Sequence, residues 1–350
     1  MNKTTKLKLI ILISFLLSSV FILNSCAKYK KKAAPKKIEI KKTFYSMGTF
    51  WEIKAVSTVK NREKDLKAVN LAIKRVKKLD DTLSGFKPSS NVSIINKYSG
   101  IKPVKANRYT LGLLKMSLKF HGLTENSFNA AIGPVMKIWG FYDKKYIVPS
   151  RAKIKNALFL SNPSFIKINK NTVFLERKGM MLDFGGDGEG YGIDEALFVL
   201  KKYGIKNAMI NGGGQITAIG TNLKGKGWKV GLLNPLNKNK IIKIIRLKNE
   251  SIETSANYEN RFSYKGKYYG HIMNPKTGYP VDGNTLSDTV IVKNKYFSYP
   301  STVADALSCS FFILNKNQIS AVIKKLNKPV KVITIERGRK KSQLKIYGLK

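Results

Sequence analysis

A run of alternating glycines between Asp183 and Asp194 constrains the fold of this chain more than any other segment. The glycines fall at positions 186, 188, 190 and 192, so the third glycine of the dinucleotide-binding fingerprint, due at 191 or 193, is missing. An EF-hand loop also fits poorly, because its third position would be Gly185 and its twelfth Asp194 instead of Glu. The segment therefore predicts a strand-to-helix turn with carboxylates beside it. Its backbone amides could hold a phosphate at the helix N-terminus, or it could be a tight turn alone.

The hydrophobic periodicity on both sides of this turn predicts an α+β fold. Alternation indicates a strand at 50–57, helical spacing indicates a helix at 66–83, and two short apolar runs predict a hairpin at 165–175. Further along we expect a helix from 193 to about 204, strands at 228–232, 241–247, 289–292 and 330–336, and a helix at 301–314. There is no regular βαβ rhythm and no internal repeat. With 43% apolar residues, the chain can bury a large core.

The N-terminus reads as an export signal. Three lysines lead into the apolar run 9–17, and Leu23-Asn24-Ser25-Cys26 resembles the lipobox of bacterial lipoproteins. We expect residues 1–25 to be a lipoprotein signal peptide, 26–42 a lysine-rich tether and 43–350 a single catalytic domain. Lipid on Cys26 would hold the protein on a membrane of the cell envelope, facing the periplasm or the cell exterior. A short transmembrane anchor is the alternative.

The net charge of +44 points to a solvated basic surface rather than to nucleic-acid binding. The lysines are spread along the chain without a basic recognition helix, and export removes the protein from the genome. Two histidines and two cysteines cannot build the usual zinc cage, so we expect a metal to sit mainly on oxygen ligands. With Cys26 lipidated, Cys309 has no partner for an intramolecular disulfide.

Several further motifs, taken in order with the glycine run, resemble the ApbE family, the FAD:protein FMN transferases. They are SMGTFW at 46–51, LSGF at 83–86, NVSIIN at 91–96, FNAAIGPV at 128–135, WGF at 139–141, HIMNPKTG at 271–278 and ADALSC at 304–309. The resemblance covers roughly residues 43–350. It implies an ApbE-like, T-fold-like arrangement of mixed sheets and packed helices. The implied activity moves FMN from FAD to a Thr or Ser hydroxyl of an exported flavin-acceptor protein, with Mg²⁺ and release of AMP.

The resemblance also implies roles for individual residues. Those expected around FAD are Met47, Phe86, Phe128, Asn129, Asp183, Glu189 and Ile272. The expected metal site consists of the backbone near Gly186 and the side chains of Asp305, Ser308 and Cys309, and Asp305 is also expected to be catalytic. Taken singly, each apolar residue in the first set could equally be an ordinary core residue. His121, in a helix-like stretch, is expected to be structural.

His271 is the candidate base, since it is the only histidine in these motifs and is expected at a turn. In-line attack on the FMN phosphorus needs a hard cation on the pyrophosphate and help in deprotonating the hydroxyl. This sequence departs from the common family pattern, with Glu189 where many members have Lys and Cys309 in place of a Thr that helps to hold the metal. An Mg²⁺-dependent FAD pyrophosphatase and a non-catalytic flavin-binding lipoprotein are the alternative functions.

Overall fold

The computed structural model describes Asn2 and residues 35–257, 261–338 and 344–349. Residues 1–36 and 37–350 separate into two units, and the elements below belong to the second. The signal peptide, the lipobox and Cys26 lie outside the described residues. No helix in the described part of the chain is both long and apolar enough to cross a membrane.

Fifteen strands are assigned in the described residues. They are β1 Lys37–Ser46, β2 Thr49–Thr58, β3 Val104–Lys105, β4 Ile166–Asn169, β5 Thr172–Leu175, β6 Ala208–Gly212, β7 Gln215–Ile219, β8 Trp228–Asn234, β9 Asn237–Leu247, β10 Glu250–Ala256, β11 Arg261–Tyr264, β12 Lys267–Gly270, β13 Thr285–Lys293, β14 Val330–Arg337 and β15 Leu344–Leu349.

The same residues contain eight α-helices. They are α1 Arg62–Leu83, α2 Asn91–Lys97, α3 Arg108–Leu123, α4 Gly133–Ile138, α5 Arg151–Leu160, α6 Gly188–Lys202, α7 Pro300–Phe311 and α8 Lys316–Leu326. Helix α7 ends at Phe311, earlier than the predicted end near Leu314. The other predicted helices and strands are present, with ends that differ by a few residues, and the α+β prediction is confirmed.

An antiparallel sheet of eight strands organises the domain, in the order β1-β2-β6-β7-β10-β13-β14-β15. Smaller sheets are formed by β3-β5-β4, β8-β9 and β11-β12. Helix α1 packs on β1 and β2 through a buried apolar stripe that includes Val69, Ala72 and Val76. Helices α6 and α7 pack against each other, and α7 also packs on β10 and β13. The large sheet thus carries two helices whose contact positions the site.

The predicted boundary of the tether at residue 42 is wrong, because β1 already begins at Lys37. All ten residues of β1 pair with β2, from Lys37 opposite Thr58 to Ser46 opposite Thr49. The lysines at 41 and 42 are exposed strand residues, and Lys41 Nζ lies 2.8 Å from Glu52 Oε2 on β2. Charge density alone could not distinguish a solvated edge strand from a tether.

The glycine run is mostly helix rather than turn. The segment before it belongs to no strand or helix; it is held by Asn96, which donates to the Leu182 carbonyl at 2.9 Å and accepts from the Leu182 amide at 2.7 Å. Helix α6 starts at Gly188, so Gly190 and Gly192 lie inside it. A Cβ at Gly190 would lie 2.6 Å from the Ser301 carbonyl oxygen. The glycines therefore allow α6 to pack closely on its neighbours.

Candidate active site

A cleft with two connected lobes lies where α6 and α7 meet the large sheet. The outer lobe has a volume of about 180 Å³ and the inner lobe about 390 Å³. Both are lined by Gly48, Asp183, Gly185 and Glu189, so the two lobes adjoin each other. The cleft is therefore long enough to hold different parts of one extended ligand.

The register of β10 explains why the inner lobe is open. Strand β7 pairs with β10 only from Glu250 to Ile252, whereas β13 pairs with the whole of β10 as far as Ala256. Beyond Ile252, no strand of the described residues neighbours β10 on its β7 side, and residues 253–256 line the inner lobe. The first turns of α6 and the middle of α7 contribute Glu189, Asp305 and Cys309 to the same lobe.

Acidic side chains give the cleft a charge opposite to that of the whole protein. Its lining includes Asp80, Asp183, Glu189, Glu253 and Asp305, and no Lys or Arg from the described chain. This contrast is sharp in a sequence with 65 Lys and Arg residues. A ligand that carries phosphate groups would meet negative charge here unless a cation lay between them.

Burial of these acids disfavours their ionised forms. Desolvation, assisted by the nearby Asp305, raises the pKa of Glu189 to about 8. The pKa of Asp305 rises to about 7, again mainly through burial, although the Gly190 amide lowers it by donating to Oδ2 at 2.9 Å. Burial also raises the pKa of Glu253 well above its usual value, and Asp305 and Glu189 add to the effect. The lobe is therefore a place where positive charge would be strongly stabilised.

Asp183 is held firmly between the two lobes. Its Oδ2 accepts a hydrogen bond from the Tyr142 hydroxyl at 2.6 Å, and its Oδ1 accepts one from the Gly185 amide at 2.7 Å. The ring of Phe86, which is 67% exposed, lies 5.0 Å from that of Tyr142 at the outer lobe. Met47 lines the same lobe from the β1–β2 turn with a positive φ of 52°. The outer lobe thus offers an accessible aromatic surface beside a fixed carboxylate.

The other residues expected around FAD line the inner lobe. Phe128 is buried, and its carbonyl lies 2.8 Å from His121 Nδ1, which gives His121 the structural contact that we expected. Asn129 donates to the Ser161 carbonyl at 2.8 Å and accepts from the Ala131 amide at 2.8 Å, so its side chain holds the local backbone. His271 and Ile272 line the lobe at the end of the β11–β12 hairpin.

Three of the four predicted metal-site residues line the inner lobe, namely Gly186, Asp305 and Cys309. A Cβ at Gly186 would lie 3.0 Å from Phe128 Cε2 and 3.5 Å from Cys309 Sγ, so a larger residue would crowd Phe128 at this corner. Ser308 is fully buried behind the wall, with its hydroxyl 2.8 Å from that of Ser255. Its role as a ligand stays a prediction.

The donor set fits a hard divalent cation that shares its ligands with a substrate. No group of three or more His, Cys, Asp or Glu side chains in the described chain is arranged to hold a metal by itself. Mg²⁺ characteristically takes one or two carboxylates together with substrate phosphates and water. Asp305, whose Oδ1 remains for a ligand when Oδ2 bonds Gly190, suits such a shared site.

The predicted phosphate cradle of bare amides is wrong for most of the glycine run. The amide of Gly185 donates to Asp183, that of Gly188 donates to the Phe184 carbonyl at 2.7 Å, and that of Gly190 donates to Asp305. These donors hold the site's own carboxylates and the start of α6. They are not available to a phosphate.

The sequence motifs missed Glu253 and Tyr142, which both line the cleft. Tyr142 directly follows the WGF motif, and that position was the only available signal. Glu253 lies in a polar stretch of β10 that looks like a solvated strand face. Residues two positions apart share one face of a strand, and hydrophobic residues two before and two after Glu253 would have indicated that this face is buried. Both positions are serine, at 251 and 255.

Comparison with known proteins identifies the family. The ApbE family model matches residues 47–334. The chain is similar to a FAD:protein FMN transferase of Vibrio cholerae (26% identity, 82% of this chain and 85% of the relative) and to one of Buchnera aphidicola (30% identity, 83% and 84%). It is also similar to the crystal structure of the ApbE protein from Thermotoga maritima, with a TM-score of 0.75, 26% identity and coverage of 88% of this chain and 96% of that one. The family model matches most of the chain, and the structural similarity shows the same fold. The chain therefore belongs to the ApbE family.

Proposed function

We propose that this protein is an FAD:protein FMN transferase that uses Mg²⁺ and modifies a Thr or Ser of an exported protein. Its membership of the ApbE family and its similarity to curated transferases across more than four-fifths of its length support the reaction. The acidic cleft supports the metal, and the export signal in the sequence supports an exported acceptor. In the reaction, the acceptor oxygen forms a bond to the FMN phosphorus, and the phosphorus–oxygen bond to AMP breaks.

The observation that carries the metal requirement is the acidic lining of a cleft that must receive a pyrophosphate. With Asp305, Glu189 and Glu253 around the inner lobe and no described Lys or Arg lining it, the protein supplies no cation of its own to the phosphates. Bound Mg²⁺ would neutralise charge on the phosphates and on the departing AMP. Asp305, Cys309 and the backbone near Gly186 are the groups that would hold it.

The side chains around the expected metal position have two roles, which are metal binding and proton transfer. Asp305 is anchored by the Gly190 amide, so its free oxygen has a fixed direction toward the lobe. His271, which lines the same lobe, is assigned to take the proton of the acceptor hydroxyl as the new bond forms. Burial keeps the Cys309 thiol neutral by raising its pKa to about 12, which excludes it as a nucleophile at neutral pH.

The outer lobe suits a planar ring system. Phe86 is exposed beside Tyr142, and an aromatic ligand could stack on it while Asp183 accepts a hydrogen bond from the ligand's edge. FAD has two ring systems joined by its pyrophosphate, and the two connected lobes match that division. The larger inner lobe, which carries the acids, would hold the part nearest the reacting phosphorus.

Incubation with FAD, Mg²⁺ and a candidate acceptor separates this function from its alternatives. FMN on the protein together with AMP supports the transferase, free FMN with AMP indicates a pyrophosphatase, and unchanged FAD indicates a binding protein. An acceptor variant with the target Thr or Ser changed to Ala is the control, because it removes the only attacking oxygen.

We further propose a lipid-anchored location in the cell envelope, supported by the lipobox-like sequence that ends at Cys26. Cys26→Ser should release an unlipidated form or leave an unprocessed precursor, and the catalytic domain should keep its activity. A wild-type mature chain found in solution with unmodified Cys26 would contradict the proposal.

A further inference from the structure

We infer that Glu253 supplies a second carboxylate ligand to the divalent cation, beside Asp305. This assignment deepens the proposed function and rests on it only in requiring a cation in the inner lobe. Neither the sequence motifs nor the family resemblance pointed to this residue. It follows from the place of Glu253 in β10 and from the state of its carboxyl group.

The strand register directs Glu253 to the lobe. Opposite Glu253, β13 continues with Val290, but on the other side β7 has stopped pairing at Ile252, opposite Ile216. Glu253 is therefore the first residue of β10 beyond the stretch that pairs with β7, and it lines the lobe together with Asp305 and Cys309. A carboxylate at this strand position faces the expected ligand from the sheet, whereas Asp305 faces it from α7.

One oxygen of the Glu253 carboxyl group lacks the partner that a buried acid needs. The residue is half-buried as a whole, but its carboxyl is enclosed; the Thr254 backbone donates one hydrogen bond to the group, and Oε2 has no hydrogen-bond partner in the described structure. A buried carboxylate oxygen without a donor or a cation is unfavourable, so such groups in native proteins are normally paired, protonated or bound to a metal. No Lys or Arg of the described chain lines this lobe to serve as the pair.

Cys309, a poor ligand for Mg²⁺, leaves a need for a second oxygen donor that Glu253 could meet. Cys309 Sγ is a soft donor, and Mg²⁺ prefers hard oxygen ligands. The expected metal-site side chains Asp305 and Cys309 offer one carboxylate and a neutral thiol. Glu253 adds a carboxylate from a different element, and a bound cation would supply the partner that this carboxyl group lacks.

Metal binding without FAD tests this assignment directly. Mn²⁺ serves as the probe, and its free concentration is read by electron paramagnetic resonance for the wild type, Glu253→Gln and Glu250→Gln. Glu250 is a matched control, since it lies in the same strand but outside the lining of the cleft. We expect Glu253→Gln to weaken Mn²⁺ binding about 10- to 100-fold and Glu250→Gln to leave it within about twofold.

A second measurement distinguishes a ligand from a merely structural residue. If Glu253 is the hard donor opposite Cys309, Glu253→Gln should weaken Mn²⁺ binding much more than Cd²⁺ binding, because the soft ion can rely on the thiol. A general disturbance of the lobe would weaken both ions alike. Should Glu253→Gln fail to fold, Glu253→Asp withdraws the carboxylate by one methylene and is expected to weaken Mn²⁺ binding at least about tenfold.

The assignment is overturned if the wild type binds no Mn²⁺, if Glu253→Gln binds Mn²⁺ as tightly as Glu250→Gln, or if the two ions lose affinity equally. FMN transfer by the same proteins is measured in parallel. Transfer by a wild type whose metal affinity does not depend on Glu253 would refute the assignment and leave the proposed function intact. If Glu253→Gln loses Mn²⁺ affinity but the wild type transfers no FMN, the assignment stands and the proposed function is refuted.

Discussion

Replacing Gly190 by Ala should destabilise the domain by separating α6 from α7. A Cβ there would lie 2.6 Å from the Ser301 carbonyl oxygen and 2.9 Å from Thr302 Cα, both backbone atoms that cannot rotate away. Overpacking of this kind costs about 1–3 kcal/mol, and contact with backbone puts the cost near the upper end. Alanine regains about 1 kcal/mol of helix propensity, so the net loss should be about 2 kcal/mol.

Gly188→Ala is the matched control in the same helix. Its Cβ would meet Phe184 Cβ at 3.5 Å and Met47 Cε at 3.8 Å, which are ordinary contacts. This variant should be as stable as the wild type or more stable by up to about 1 kcal/mol. Urea unfolding of the three metal-free proteins, with the slope compared as well as the midpoint, measures the difference. Equal stability of the two variants would refute the packing role assigned to Gly190.

Three other predictions follow from individual side chains. His271→Ala should lower FMN transfer about 10²- to 10⁴-fold while FAD affinity changes little, and equal losses in both would make His271 a positioning residue. Cys309→Thr should lower the Mg²⁺ concentration needed for half-maximal AMP release, because it replaces a soft donor by an oxygen; an unchanged or higher requirement would contradict this. Asp288 is buried against Thr334, and burial raises its pKa to about 8, so its folded form holds a proton that the unfolded chain loses near pH 4. The stability of the wild type therefore falls as the pH rises toward 8, by at most about 1.4 kcal/mol per pH unit. Asparagine does not ionise, so in urea unfolding Asp288→Asn should be more stable relative to the wild type at pH 8 than at pH 5.

Local patterns in the sequence predicted fewer than half of the described helices and strands, and those that they predicted are present. The apolar stripe of α1 and the polar turn between β4 and β5 depend on residues a few positions apart, and the structure confirms both. The order of the large sheet was not predictable in this way. Its pairs β2–β6 and β10–β13 join segments far apart in sequence, and many alternating strands could satisfy the same pattern.

The glycine run shows how local sequence can mislead. Alternating glycines in isolation suggest a flexible turn, but Gly190 is glycine because Ser301 approaches it from another helix. That reason lies in a segment more than a hundred positions away and leaves no local trace. The same limit hid Glu253, whose burial depends on where β7 stops pairing.

Motifs located much of the cleft, since Met47, Phe86, Asp183 and Glu189 all line it. The family resemblance brought them together, and composition alone would not have done so. What the motifs could not give was the electrostatic character of the site. A net charge of +44 indicates a solvated basic surface, whereas the cleft is lined by acids.

The central claim is that this cleft transfers FMN from FAD to a protein hydroxyl with the help of Asp305. The most direct test is the intact mass of an acceptor protein after incubation with FAD, Mg²⁺ and either the wild type or Asp305→Asn, with AMP measured in the same samples. Asparagine keeps an oxygen for the Gly190 amide, so the variant should fold while losing the charge that faces the ligand. We predict that the wild type adds one FMN to the acceptor for each AMP released and that the variant adds almost none. An acceptor of unchanged mass in the presence of wild type, or equal labelling by both proteins, would contradict the account.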